Sequence, residues 1–134
     1  IHCEEGLEKV LIPPLVIQTF VENSVKYNMD LEEQLFIEVS IRRAGQENRM
    51  EICISDNGCG IEKDTRDRYN AGIFETGDST RQIGIRNTVA RLRMMYKENA
   101  SVHFLENGQD GVLVRIEIPL SEEKENGDEH IIGG

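Results

Sequence analysis

The sequence predicts an α+β fold, a two-layer sandwich in which helices cover one face of a mixed, mostly antiparallel sheet. Three observations predict it. Two segments carry apolar residues at helical spacing, and four segments carry them at every second position. Their order is helix, two strands, loop, helix, two strands. Paired strands mixed with helices build a layer of this kind rather than an alternating parallel sheet. The chain has 134 residues, which suits one domain with one core, and 38% of them are hydrophobic, which excludes a disordered chain.

Residues 1–11 read as a lead-in from an upstream domain, with a short strand placed near Val10. Pro13-Pro14 marks the boundary, because proline suits the first turn of a helix and little before it. Leu15 to Tyr27 then reads as a helix. Ile17, Phe20, Val21, Ser24 and Val25 form one largely apolar face, and Gln18, Thr19, Glu22, Asn23 and Lys26 form the opposite stripe. Leu35, Ile37, Val39 and Ile41 alternate with polar residues, as do Met50, Ile52 and Ile54, so both segments are strands. The turn Gly45-Gln46-Glu47-Asn48 makes them a hairpin. Cys53, inside the second run, is expected in the core.

Asp56 to Gly60 is a glycine-rich loop. Ile61 to Gln82 has weak periodicity, contains Gly72 and Gly77, and is too long for a simple connection, so it reads as a mobile loop with at most a short helix. Ile85, Val89, Leu92 and Tyr96 share one face of a second helix that ends near Asn99. Val102 to Phe104 and Val112-Val114-Ile116-Ile118 are strands joined through Asn107 to Gly111, and Pro119 ends the last. The domain is bounded at 12–120, and 121–134 is expected to be a flexible acidic tail.

Charge and cysteine usage narrow the function. Formal charge is 15 − 25 = −10, which argues against a nucleic-acid partner. A triphosphate stays possible, since a few local donors and a metal ion suffice to bind one. Cys3, Cys53 and Cys59 form no CxxC pair and are odd in number, which points to a reducing, cytoplasmic setting. No stretch approaches the roughly 20 apolar residues that cross a bilayer, so no direct membrane contact is expected of this domain. Starting at Ile1-His2-Cys3 without an initiator Met, the chain reads as a fragment of something longer.

Three constellations carry chemistry. Glu22, Asn23 and Lys26 share one helical stripe and offer a carboxylate, an oxygen ligand and a phosphate-binding cation. A solvated helix face would explain them too, although asparagine is a poor residue for a helix interior, because its side chain competes for backbone hydrogen bonds. Asp56-Asn57-Gly58-Cys59-Gly60 follows a strand end, where a carboxylate can accept from an exocyclic amine and glycines let backbone approach a flat ligand. A plain Asp-Asn-Gly turn is the rival reading, but no strand follows at hairpin distance. Gly84-Ile85-Arg86-Asn87 opens the second helix, where phosphate could reach free backbone amides. An ordinary helix start would look the same.

The order and spacing of these motifs resemble the GHKL (Bergerat-fold) ATPases, and most closely the catalytic domains of bacterial sensor histidine kinases of the LytS/YesM-like branch. Ile12 to Tyr27 resembles the N box, Ser55 to Ile61 the G1 box, Ile83 to Leu92 the G2 box, and Gly111 to Pro119 the closing strand. The resemblance implies ATP and Mg2+ as cofactors. It implies that Asn23 coordinates magnesium and, with Glu22, forms the catalytic pair near the γ-phosphate. Lys26, Tyr27, Gly84 and Asn87 would lie at the ribose and phosphates. Asp56 would accept from the adenine amino group, Gly58 and Gly60 would give room at the base, and Ile61 and Ile85 would complete the nucleotide-binding set. Ile61 to Gln82 would be the ATP lid.

The resemblance also implies partners: an upstream helical dimerisation and phosphoacceptor domain of the parent, and a response regulator reached through a phosphorelay. The parent would sit in the bacterial inner membrane with this domain in the cytoplasm. Gln82 stands where a glycine often opens the G2 box, Val112 stands where threonine often follows the closing-strand glycine, and Phe74 is the sole candidate for an F box. His2, His103 and His130 do not resemble the acceptor setting. Two functions follow: a kinase domain phosphorylating a histidine elsewhere on its parent, or a degenerate GHKL-like module acting through protein contacts.

Overall fold

The computed structural model describes residues 2–6, 14–28, 34–45, 48–74, 80–108 and 111–120. Strand β1 (His2–Cys3) is followed by helix α1 (Pro14–Tyr27), strands β2 (Ile37–Ala44) and β3 (Arg49–Asp56), and helices α2 (Lys63–Asn70) and α3 (Thr80–Tyr96). A short 3-10 turn (Lys97–Asn99) leads into strands β4 (Ser101–Asn107) and β5 (Gly111–Pro119). Among the described residues these strands form a five-stranded sheet in the order β1-β2-β3-β5-β4. Only the β1–β2 pair is parallel. The mixed, mostly antiparallel α+β sheet is the expected one. The lead-in strand falls at His2–Cys3, and Val10, where it was expected, lies outside the described residues, as do 121–134.

Alternation decides which side of the sheet is covered. Ile52 lies between Ile41 and Ile116, and Ile54 between Val39 and Val114, so one face is a continuous apolar layer. Val16 and Phe20 of α1, Tyr69 of α2, and Ile85, Val89, Leu92 and Tyr96 of α3 close over that face. The α3 face is the one its periodicity predicts. Phe20, Phe104, Tyr69 and Phe74 form a chain of ring contacts with centroids 5.3–6.1 Å apart, joining α1 through the sheet to α2 and the segment beyond it.

Four expectations need correction. Cys53 is not in the core. It has the opposite parity to Ile52 and Ile54, so it faces the polar side of the sheet, where its thiol donates to Glu51 Oε1 at 3.2 Å. Val25 is 48% exposed, and the helix buries Val16 and Phe20 instead, because packing against Phe104 turns α1 about its axis. Gly84 does not open α3, which begins at Thr80. The intervening Arg81, Gln82 and Ile83 have ordinary helix propensity and extend the helix back by a turn. Much of the expected 61–82 loop lies in helix: α2 and the start of α3, with 75–79 outside the described residues.

Candidate functional site

Where β3 ends and β5 begins, α1 and α3 stand apart enough to leave a cavity over the apolar face of the sheet. Phe20, Ile61, Ile85, Phe104, Val112 and Val114 form its apolar lining. Asn23, Ser24, Asn28 and Asp56 supply its polar groups, and Cys59 and Gly60 complete the lining.

Asp56 is the last residue of β3 and shares the inward parity of Ile52 and Ile54, which carries a carboxylate into the core at 5% exposure. A buried charge is tolerated only with hydrogen bonds. Asp56 Oδ2 accepts from Ser24 Oγ at 2.9 Å. Its Oδ1 accepts from the Gly58 amide at 2.9 Å and the Val112 amide at 3.2 Å. A carboxylate offers about four lone-pair sites. Three donors therefore leave room for one more, on a group that lines a cavity.

The backbone beside it is fitted just as closely. Asn107 Nδ2 donates to the Asp56 carbonyl at 2.8 Å, and a Cβ on Gly111 would overlap that same carbonyl oxygen. Glycine at 111 is what lets β5 start against β3. Asn57 points outward and ties down the segment before β2: it donates to the Gln34 carbonyl at 3.0 Å and accepts from the Phe36 amide at 2.6 Å.

The helical stripe divides on folding. Glu22 and Lys26 are exposed, and Glu22 Oε1 accepts from Gln18 Nε2 at 2.9 Å. Asn23 turns toward the cavity instead, and its Nδ2 is buried with no hydrogen-bond partner among the described residues. An amide can be turned end for end, so it presents either a donor to a phosphate oxygen or an oxygen to a cation. No cluster of three acidic, histidine or cysteine side chains stands near to cage a metal among the described residues. A lone amide oxygen suits a magnesium ion that keeps its waters and takes its other ligands from phosphates.

The structure thus brings Asn23, Asp56, Gly60, Ile61 and Ile85 around one cavity. Gly58 is buried in the loop beneath it. Asn87 is exposed on α3, and the side chain of Tyr27 lies outside the described residues. Gly84 is the fifth residue of α3, so in a regular helix its amide points at the Thr80 carbonyl rather than at a ligand. Ser24, Asn28 and Asn107 were not singled out from sequence. Serine on an apolar helical face was the available signal for Ser24. Asn28 and Asn107 look like ordinary chain-reversal residues until their partners are seen.

Residues 12–122 match the family of histidine kinase-, DNA gyrase B- and HSP90-like ATPases. The chain belongs to that family. Its relatives include sensor protein LytS of Bacillus subtilis (strain 168), 25% identical over 133 residues, which cover 99% of this chain and 22% of that protein. The fold is shared with the catalytic domain of histidine kinase ThkA at TM-score 0.59, with 16% identity over 81% of this chain and 66% of that one. It is shared also with full-length ShkA in complex with AMPPNP at TM-score 0.62, with 16% identity over 91% of this chain and 25% of that one. The chain spans 22–23% of the length of the curated relatives it matches. As an ATPase-family domain it has the family's sheet and helices, and its cavity is lined from all four segments whose sequences resemble the family's: 12–27, 55–61, 83–92 and 111–119.

Proposed function

We propose that this chain is the ATP-binding catalytic domain of a sensor histidine kinase, and that it transfers the γ-phosphoryl of ATP to a histidine on a helical dimerisation domain of its parent. The observation that carries the reading is Asp56: a buried carboxylate with acceptor capacity left over, in a largely apolar cavity that no lysine or arginine lines among the described residues. Adenine offers an apolar ring and an exocyclic amine to such a site. Guanine presents a carbonyl at the same position and repels the carboxylate.

The base enters between Ile61, Ile85 and Val114, and the triphosphate runs out toward Asn23 and Lys26. Asn23 would hold magnesium, which would supply charge neutralisation to the phosphates. Lys26, Asn87 and the start of α3 serve the phosphates, and Gly84 reaches one only with the first turn of α3 opened. Tyr27 flanks the ribose. Glu22 positions groups near the γ-phosphate from the solvent side. In the transfer the β,γ-bridging P–O bond breaks, a P–N bond forms to the acceptor imidazole, ADP leaves, and the ring gives up its proton. A response regulator then takes the phosphoryl group. The parent is membrane-anchored with this domain on the cytoplasmic side. No described helix is long and apolar enough to cross a membrane.

Val112 meets Asp56 through its backbone amide, so the missing threonine leaves that contact intact. The experiment is calorimetry with magnesium-ATP, then incubation with γ-labelled ATP and the parent's dimerisation domain, with acid-lability as the mark of phosphohistidine. Binding and acid-labile transfer are expected. Asn23→Ala should abolish transfer while the melting temperature holds, since its Nδ2 has no hydrogen-bond partner among the described residues. Tight binding without transfer would favour the degenerate-module reading.

A further inference from the structure

We propose that Asn28 is a positioning residue of the nucleotide site, and that Gly58 is glycine to admit Asn28 rather than the base. The proposal rests on the nucleotide reading above. Asn28 stands just past the last residue of α1. Its Nδ2 donates to the Ser24 carbonyl at 2.6 Å, one of the carbonyls a helix end leaves without an intrahelical partner. Its Oδ1 accepts from the Cys59 amide at 2.9 Å. One side-chain amide therefore ties the end of α1 to the loop after β3.

That bridge closes a ring. Ser24 Oγ donates to Asp56 Oδ2, the Gly58 amide donates to Asp56 Oδ1, the Cys59 amide donates to Asn28, and Asn28 donates back to Ser24. Each member fixes the next, and the ring surrounds the group that reads the base. Asn28 itself lines the cavity.

The two loop glycines differ in what demands them. Gly60 has φ 79°, a left-handed conformation that favours glycine. Gly58 is not among the positive-φ residues, so its backbone would accept another residue. A Cβ there would overlap Asn28 Oδ1, Cγ and Nδ2 together. A methyl group at 58 would push the Asn28 amide aside, and both of its hydrogen bonds would break at once. Gly58→Ala and Asn28→Ala thus injure the same ring.

The test is a double-mutant cycle on the whole chain, titrating magnesium-ATP into the unsubstituted protein, Asn28→Ala, Gly58→Ala and the double variant, with thermal melts of each. Each single change should weaken ATP about tenfold, the equivalent of one or two neutral hydrogen bonds. The double variant should bind no worse than the weaker single, because the second change has nothing left to break. Asn28→Asp keeps the acceptor for Cys59 and loses the donor to Ser24, so it should fall between wild type and Asn28→Ala. Should Gly58→Ala fail to fold, the double variant carries the test: with the amide gone the methyl fits, and it must fold and bind like Asn28→Ala. Independent losses that multiply to about a hundredfold would show that Gly58 serves the base directly and overturn the proposal. So would an Asn28→Ala that melts earlier yet binds ATP as wild type does. An unsubstituted chain that ignores magnesium-ATP would instead sink the nucleotide reading itself, a result legible before any variant is made.

Discussion

The two ends of the cavity are built differently. At the proposed base end, the polar groups are held by hydrogen bonds within the protein: the Asp56 carboxylate by the Gly58 and Val112 amides and the Ser24 hydroxyl, its carbonyl by Asn107, and the loop after it by Asn28. Toward the proposed phosphate end, Asn23 carries a buried Nδ2 without a partner among the described residues, and Lys26 and Asn87 are exposed side chains outside the cavity lining. On the proposed reading, one end is already paired within the protein and the other keeps groups for a ligand to meet. The difference is physical. A heterocycle is recognised by fixed geometry and exclusion of water, so its site can be part of the core. A triphosphate brings its own charge, metal and water, and needs only donors placed to meet it.

The sharpest way to break this contrast is at Gly111. A Cβ there meets backbone, which cannot swing away as a side chain can. Gly111→Ala should cost about 3 kcal/mol of stability, at the upper end for overpacking, and ATP affinity should fall with it. Urea denaturation measures the first. A variant of wild-type stability would mean that β5 has slack the base end is not supposed to have.

Asp56→Asn comes next. It keeps the shape and replaces one acceptor oxygen by a donor, so the ATP-over-GTP preference should shrink by about 1.5–3 kcal/mol. Competition titration of the two nucleotides reads this directly, and an unchanged preference would remove Asp56 from base recognition. Lys26→Ala probes the other end. Its ammonium is exposed, so the loss should be several-fold in ATP affinity and should fade as salt is raised. A loss that ignores salt would place Lys26 in a dry, prebuilt contact and erase the contrast.

The smallest effect is a control outside the cavity lining. Tyr96, at the end of α3, is buried, and its hydroxyl has no hydrogen-bond partner among the described residues. Burial pushes its ionisation up from the usual tyrosine range. The folded state then holds the proton more tightly than the unfolded one. Its stability contribution is full below the ordinary tyrosine value near pH 10 and is lost as pH rises above it through the raised one. Tyr96→Phe should therefore stabilise by about 1 kcal/mol at neutral pH, blunt the alkaline loss, and leave ATP binding alone. Chemical denaturation at pH 7 and pH 11 checks both signs.

The sequence by itself determined the class of fold, its strand and helix order, the α3 face and the motifs. These rest on local periodicity, which needs no knowledge of what packs against what: Ile52 and Ile54 alternate in the sequence as they do in the sheet. Asp56 was legible for the same reason, as a carboxylate at a strand end before glycines. Only the tertiary structure decided the rest. The direction in which α1 turns, burying Val16 in place of Val25 and sending Asn23 inward, follows from the Phe20 contact with Phe104, 84 residues away by subtraction of 20 from 104. Cys53 lies on the polar face because strand parity, not hydrophobicity, allots sides to a small residue. The backward extension of α3 to Thr80 passes through residues whose propensities are nearly neutral, so local signals could not set its start. The ring through Ser24, Asn28, Gly58 and Asp56 spans 32 residues of chain in one of its hydrogen bonds. Nothing at any one of those positions distinguishes a polar residue at a chain reversal from half of a bridge, because the partner that gives it meaning arrives only when the sheet and α1 meet.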